Sequence, residues 1–192
     1  AKKGKLFTRK GAKNGDLIFT TGTLGDSSLG LKLQSGKKWK CSAKSRKHLL
    51  AKHLTPTPRL KESRLLTTCG NKITSMIDIS DGLVQDLHHI CKQSATGAVI
   101  YEEKLPQSSA FAKVCSDNNL NPLPFILNGG EDYELLFTLP ADGVKNLYRQ
   151  FEKAEALVTH IGGIAQPSEK VSLLKKNGKR EALLQSSGFN HF

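Results

Sequence analysis

Short apolar runs alternate with amphipathic stretches along the whole chain. A strand is predicted over residues 16–21, and a turn over 24–28 feeds a helix to about residue 34. A basic helical stretch is expected over 44–54. Residues 53–59, His-Leu-Thr-Pro-Thr-Pro-Arg, cannot continue it as regular helix. Each Pro there removes a donor and biases its predecessor towards extended geometry. A helix over 60–69, a strand over 73–79 and a helix to about residue 91 come next, the last with Leu83, Leu87 and Ile90 on one face. Strands are predicted at 98–101, 133–139, 158–161, 171–175 and 181–184, with helices at 108–117 and 142–153. Such alternation implies an α+β fold, a mixed β-sheet flanked by helices.

A length of 192 residues suits one domain with a substantial core. Charge is distributed unevenly: residues 1–64 hold 17 basic and 3 acidic side chains, a balance of +14, whereas residues 65–192 stand at −2. Asymmetry of this kind fits nucleic-acid binding, anionic small molecules or plain solvation. Cys41, Cys69, Cys91 and Cys115 show no C-x-x-C pairing and read as reduced thiols of a cytoplasmic protein. Adjacent His88 and His89 cannot share a helix face, so the histidines add no metal site. No apolar run approaches the roughly 20 residues that span a bilayer, and the basic start lacks the apolar stretch of a secretory signal.

The densest chemistry lies at residues 77–83, Ile-Asp-Ile-Ser-Asp-Gly-Leu. Asp78, Ser80 and Asp81 crowd a strand-to-helix junction, where hard oxygen ligands suit Mg²⁺. A helix start also offers free N–H groups to a phosphate. The alternative is an ordinary N-cap, since Ser and Asp are preferred there. A cap needs one such side chain, and three are present. Asp86, about one turn further on, is expected to matter much less. In the second acidic loop, Asn128-Gly129-Gly130-Glu131-Asp132, paired glycines permit either close backbone approach to a ligand or a turn with positive φ. The turn at 21–27, Thr-Gly-Thr-Leu-Gly-Asp-Ser, follows a strand and opens a helix but lacks the P-loop ending.

Taken in order, five elements resemble the thiamine-monophosphate kinase family of the aminoimidazole ribonucleotide synthetase superfamily. They are Thr8-Arg9-Lys10-Gly11-Ala12, Gly15-Asp16 with the 21–27 turn, Pro56-Thr57-Pro58-Arg59-Leu60, the 77–83 heptapeptide and the segment 129–138. The ending Gly188-Phe189-Asn190-His191-Phe192 is similar to that family's tail. The resemblance implies the C-terminal synthetase-like domain over residues 16–192, with residues 1–15 leading in from an N-terminal domain that this chain lacks. It implies cytoplasmic phosphorylation of thiamine monophosphate to thiamine diphosphate, with ATP as co-substrate and Mg²⁺ as cofactor. A homodimer is implied when the N-terminal domain is present. Residue by residue, Asp78 and Asp81 match metal ligands, Arg9 and Ser80 match ATP contacts, and Glu131 and Phe189 match substrate contacts. Phe189 stands where the family often has Tyr, so stacking survives and a hydroxyl hydrogen bond does not.

An ionised phosphate acceptor needs alignment and charge neutralisation rather than a general base, and no catalytic side chain is assigned. Two other readings remain. One is a nucleic-acid-binding module, motivated by Trp39 among Lys37, Lys38 and Lys40, against which no known binding motif is visible. The other is a non-catalytic remnant that binds nucleotide or a partner.

Overall fold

In the computed structural model, residues 6–68 and 72–184 are described. Seven strands form one sheet: β1 (Leu17–Thr21), β2 (Ser75–Asp78), β3 (Gly97–Tyr101), β4 (Leu135–Leu139), β5 (Val158–Ala165), β6 (Val171–Leu174) and β7 (Arg180–Ala182). Their order across the sheet is β2-β4-β1-β5-β3-β6-β7. All neighbours are antiparallel except β3 and β6, so the sheet is mixed.

Seven α-helices of the described residues cover it: α1 (Asp26–Gln34), α2 (Ala43–Leu54), α3 (Leu60–Thr68), α4 (Leu83–Ser94), α5 (Ser109–Asp117), α6 (Leu123–Asn128) and α7 (Val144–Lys153). Strand alternation divides the apolar residues between two faces. Ile18, Ile77, Ile100, Leu136 and Leu173 join the larger core with Leu29 and Leu33 of α1, Leu49 of α2, the Leu83–Leu87–Ile90 stripe of α4, and Phe111 of α5. Phe19, Phe137 and Leu139 face the other way, against Leu66 of α3 and Leu147 and Phe151 of α7. Leu147 and Phe151 are four residues apart, hence on one helix face, and each contributes about 1.5–3 kcal/mol by leaving water.

Among the departures from the sequence expectation are two strand boundaries and one helix. The strand at 133–139 begins only at Leu135, because Tyr133 takes a left-handed backbone (φ 49) that ends regular pairing. β5 runs on to Ala165, since Gly162 lets the Val99 carbonyl come where a Cβ would sit 2.2 Å away. Helix α6 was not expected from sequence. Pro122 at its N-cap and Pro124 in its first turn are tolerated because N–H groups there have no helical acceptor.

Candidate functional site

β2 ends at Asp78, and the chain turns through Ile79 to Gly82 into α4. Neither Ser80 nor Asp81 caps the helix. The N-cap is Gly82, at φ 120, which an L side chain adopts only with strain, and it makes no side-chain cap. Asp86 organises the turn from inside the helix. Its Oδ2 accepts the backbone N–H of Ser80 at 3.0 Å, Asp81 at 3.1 Å and Gly82 at 3.2 Å. The amides of the turn that leads into the helix, the N-cap Gly82 included, are therefore taken by a resident carboxylate. Burial pushes the Asp86 carboxyl up to about 6, against the pull of those amides. The sequence reading gave Asp86 no structural part, and this geometry gives it one.

The second acidic loop is stitched onto the first. Glu131 donates its N–H to the Ser80 carbonyl at 2.8 Å, Tyr133 to Ile79 at 2.9 Å, and Ile79 to Glu134 at 2.8 Å. Gly130 serves close approach: a Cβ there would lie 2.6 Å from the Ser80 carbonyl oxygen. The positive φ angles of this loop fall instead on Glu131 (65) and Tyr133 (49). Two non-glycine residues held left-handed around one acid make a strained loop, a feature that clusters at functional sites.

Beneath the loop, three acids are buried. Asp132 Oδ2 accepts the Gly25 N–H at 2.8 Å and its Oδ1 the Ser27 N–H at 3.3 Å, so it satisfies the start of α1 from a distance. Loss of solvation lifts the Asp132 carboxyl to about 7, and the neighbouring Asp26 and Glu134 push the same way. Asp26 accepts from the Thr23 hydroxyl at 2.6 Å and the Ser108 hydroxyl at 2.5 Å, and lies 3.6 Å from His48 Nε2. Glu134 is fully buried and accepts from the Thr21 hydroxyl at 2.7 Å, from Lys52 at 3.4 Å and from Arg59. His48 and Lys52 are four residues apart on α2, with His53 beside them. Part of the basic excess of residues 1–64 is thus the counter-charge of these acids.

The predicted site residues divide into groups. Ser80, Asp81 and Glu131 come together where the two loops are stitched. Asp78 alternates with Ile77 and Ile79 of the larger core, so its exposed side chain leaves the strand on the other face. Among the described residues, the group of three with metal-ligating atoms within 4.8 Å of one another is Asp81, Asp86 and His89. His88 turns away, its Nε2 3.0 Å from the Leu183 carbonyl. The histidine pair therefore does bring one ring to the acids, which corrects the sequence reading. Arg9 lies elsewhere: its carbonyl accepts from Ser94 Oγ at 3.4 Å, at the far end of α4, and Thr8 receives the N–H of Met76 at 2.8 Å. Phe189 lies outside the described residues. A cavity of about 360 Å³ opens beside the stitched loops, lined by Leu31, Pro124, Phe125, Gly130, Glu131 and Lys32 among others. His53, Asp86 and Asp132 were not assigned roles from sequence; only the three-residue spacing of Asp86 and His89 hinted at a shared helix face.

Elsewhere, Trp39 packs edge-on against Phe125 with ring centroids 6.2 Å apart, so the aromatic that motivated base stacking is engaged in packing. Cys91 and Cys115 are free and buried, their thiols pushed up to about 11. No helix of the described residues is long and apolar enough to cross a membrane.

Residues 13–173 match the family described as AIR synthase related protein, C-terminal domain. A thiamine-monophosphate kinase of Buchnera aphidicola subsp. Schizaphis graminum is 40% identical over 186 residues, 96% of this chain and 55% of that protein. The thiamine-monophosphate kinase of Escherichia coli K12 is 43% identical over 137 residues, 71% of this chain and 41% of that protein. The solved structure of AaThiL complexed with AMPPCP and TMP superimposes with a TM-score of 0.78 at 33% identity, covering 97% of this chain and 54% of its own. The chain spans about half the length of the relatives that it matches.

Proposed function

The chain belongs to the AIR synthase related family through its C-terminal domain, and from that premise we propose that it is the corresponding part of a thiamine-monophosphate kinase. The reaction would transfer the terminal phosphoryl group of ATP to the phosphate of thiamine monophosphate. The observation that carries this reading is the stitching of the 77–83 turn to the 129–134 loop, which sets Ser80 and Asp81 beside Glu131. Relatives named for this activity and a related structure holding AMPPCP and TMP support the choice of substrates.

In this reading Ser80 and Arg9 contact ATP, while Glu131 and Phe189 contact thiamine monophosphate. The described chain is held to α4 at His88 through Leu183. The acceptor oxygen is ionised already, so the protein's task is to hold two anionic groups in line. The donor set suits Mg²⁺: Asp78 and Asp81 are hard carboxylate ligands, Asp78 carried by β2 and Asp81 by the turn whose main chain Asp86 holds with one oxygen on three amides. Such an ion would neutralise phosphate charge. The assembly expected is a cytoplasmic homodimer when an N-terminal domain is present, residues 1–15 leading in from it.

Thiamine diphosphate formation from ATP and thiamine monophosphate, with Mg²⁺, tests the reading. It is measured for the 192-residue chain alone and joined to the N-terminal half of the Escherichia coli relative. Activity is expected in the joined form and lost on Asp81→Asn. No product from the joined form, while the intact relative turns over beside it, overturns the proposal.

A further inference from the structure

His53 stands where α1, α2 and the 128–134 loop meet. Its Nδ1 lies 3.2 Å from Ser27 Oγ and 3.3 Å from a Glu131 carboxylate oxygen. The ring is 13% exposed and the Glu131 side chain 33%, so the contact is shielded from one side and open on the other. Helix packing sets the ring's place. α1 and α2 cross at Gly30, where a Cβ would stand 2.2 Å from the Leu49 carbonyl oxygen and 3.1 Å from His53 Cβ. Ser27 is fixed in turn, because its N–H goes to Asp132.

Glu131 has a pinned main chain and a side chain one-third exposed. Its N–H is bound to Ser80 and its φ is left-handed, yet among the described residues His53 is the recorded partner of its carboxylate. The tautomer decides the outcome. With a proton on Nδ1, the ring sets a polar N–H 3.3 Å from the Glu131 carboxylate, an ion-pair contact where the ring is charged. With Nδ1 bare, the ring accepts the Ser27 hydroxyl and Glu131 loses that attraction. The adjoining cavity has apolar walls from Leu31, Pro124 and Phe125, with Glu131 and Lys32 as its charged lining groups.

We propose that His53 is the positioning residue of Glu131, holding that carboxylate at the cavity rim towards the cationic part of the substrate. The proposal rests on the reading of Glu131 as a contact to thiamine monophosphate. It adds a residue from the basic helix α2 to a site otherwise built from two acidic loops. Orientation of the carboxylate acts on substrate capture, whereas phosphoryl transfer takes place at the phosphate, with which the carboxylate makes no bond.

The test has two arms. In the 192-residue chain with ¹⁵N-labelled histidine, Glu131→Gln should move the His53 Nδ1 resonance while leaving His88 and His160 in place. In the joined kinase, His53→Leu should raise KM for thiamine monophosphate about tenfold, with KM for ATP and kcat within about twofold. His53→Asn, which keeps an N–H near the Nδ1 position, should recover most of the loss. In a Glu131→Gln background, His53→Leu should add nothing. An unmoved resonance, equal effects on both substrates, or full additivity with Glu131→Gln overturns the proposal. A moved resonance with no binding of thiamine monophosphate by the unsubstituted joined protein overturns the substrate reading itself, and with it this role for His53.

Discussion

Asp86 accepts the backbone N–H of Asp81 at 3.1 Å, so one acid fixes the main chain that carries the other. The two carboxylates have different duties, and substitution should separate them. Asp86→Ala leaves three amides of the turn without their acceptor, at a cost of about 1–3 kcal/mol or more. For a chain of this size that lowers Tm by roughly 4 °C or more. Asp81→Asn keeps the turn and should shift Tm by less than about 2 °C while abolishing phosphoryl transfer in the joined kinase. Calorimetric scans of both variants check the contrast; equal Tm losses would remove it.

Asp132 gives a pH dependence of definite sign. Its carboxyl lies at about 7 in the fold against an ordinary 3.8, so between those values the folded state binds a proton that the unfolded chain has lost. Its contribution to stability is fully present below about pH 4 and declines as pH rises to 7. Asp132→Asn cannot titrate, so the stability gap between the native chain and this variant should move in the variant's favour from pH 4.5 to 7.5. Urea melts at several pH values measure it. A gap that moves the other way contradicts the protonated carboxyl.

Backbone strain at Glu131 yields a paired prediction. Glycine adopts φ 65 freely, so Glu131→Gly should leave Tm unchanged or raise it slightly, while Glu131→Gln keeps the strain. Both should weaken thiamine monophosphate binding in the joined kinase. Gly130→Ala, by contrast, drives a Cβ to 2.6 Å from the Ser80 carbonyl oxygen and should cost both stability and turnover. A Gly130→Ala variant of native Tm would show that the two loops are not held in this register.

Phe189→Ala should raise KM for thiamine monophosphate about fivefold, the equivalent of roughly 1 kcal/mol of aromatic contact, and leave KM for ATP nearly unchanged. Initial-rate kinetics with each substrate varied in turn decide this. Equal changes for both substrates exclude Phe189 from the substrate site.

The α4 stripe, the Pro-broken connector after α2 and the alternation of strands and helices were legible because each is a local pattern. So was the place of the 77–83 turn between a strand and a helix. What escaped was long-range. Asp132 reaches the start of α1 across 107 positions and Lys52 reaches Glu134 across 82, and neither pairing leaves a local trace. Asp86 was underrated for a related reason: an acid in the first turn of a helix reads as a favourable dipole partner, and its use as an acceptor for the preceding turn appears only with the backbone in place. The contact role of Arg9 came from resemblance alone, and its main chain lies at Ser94, at the far end of α4 from Ser80.

The strand order bears on how the chain is made as well as how it works. β1 ends at Thr21, and the backbone that closes its first edge arrives with Leu135, 114 positions later. At about 5–20 residues per second, a ribosome needs roughly 6–23 s to cover that interval. Throughout it β1 has emerged with both edges bare, and β5, its other neighbour, is still to come. Helices α1 to α5 are complete within the same period, so the larger apolar face can begin to be covered while the sheet still lacks its middle. The loop bearing Glu131 and Asp132 is synthesised immediately before β4, which makes the arrival of the site and the first closure of the sheet one event.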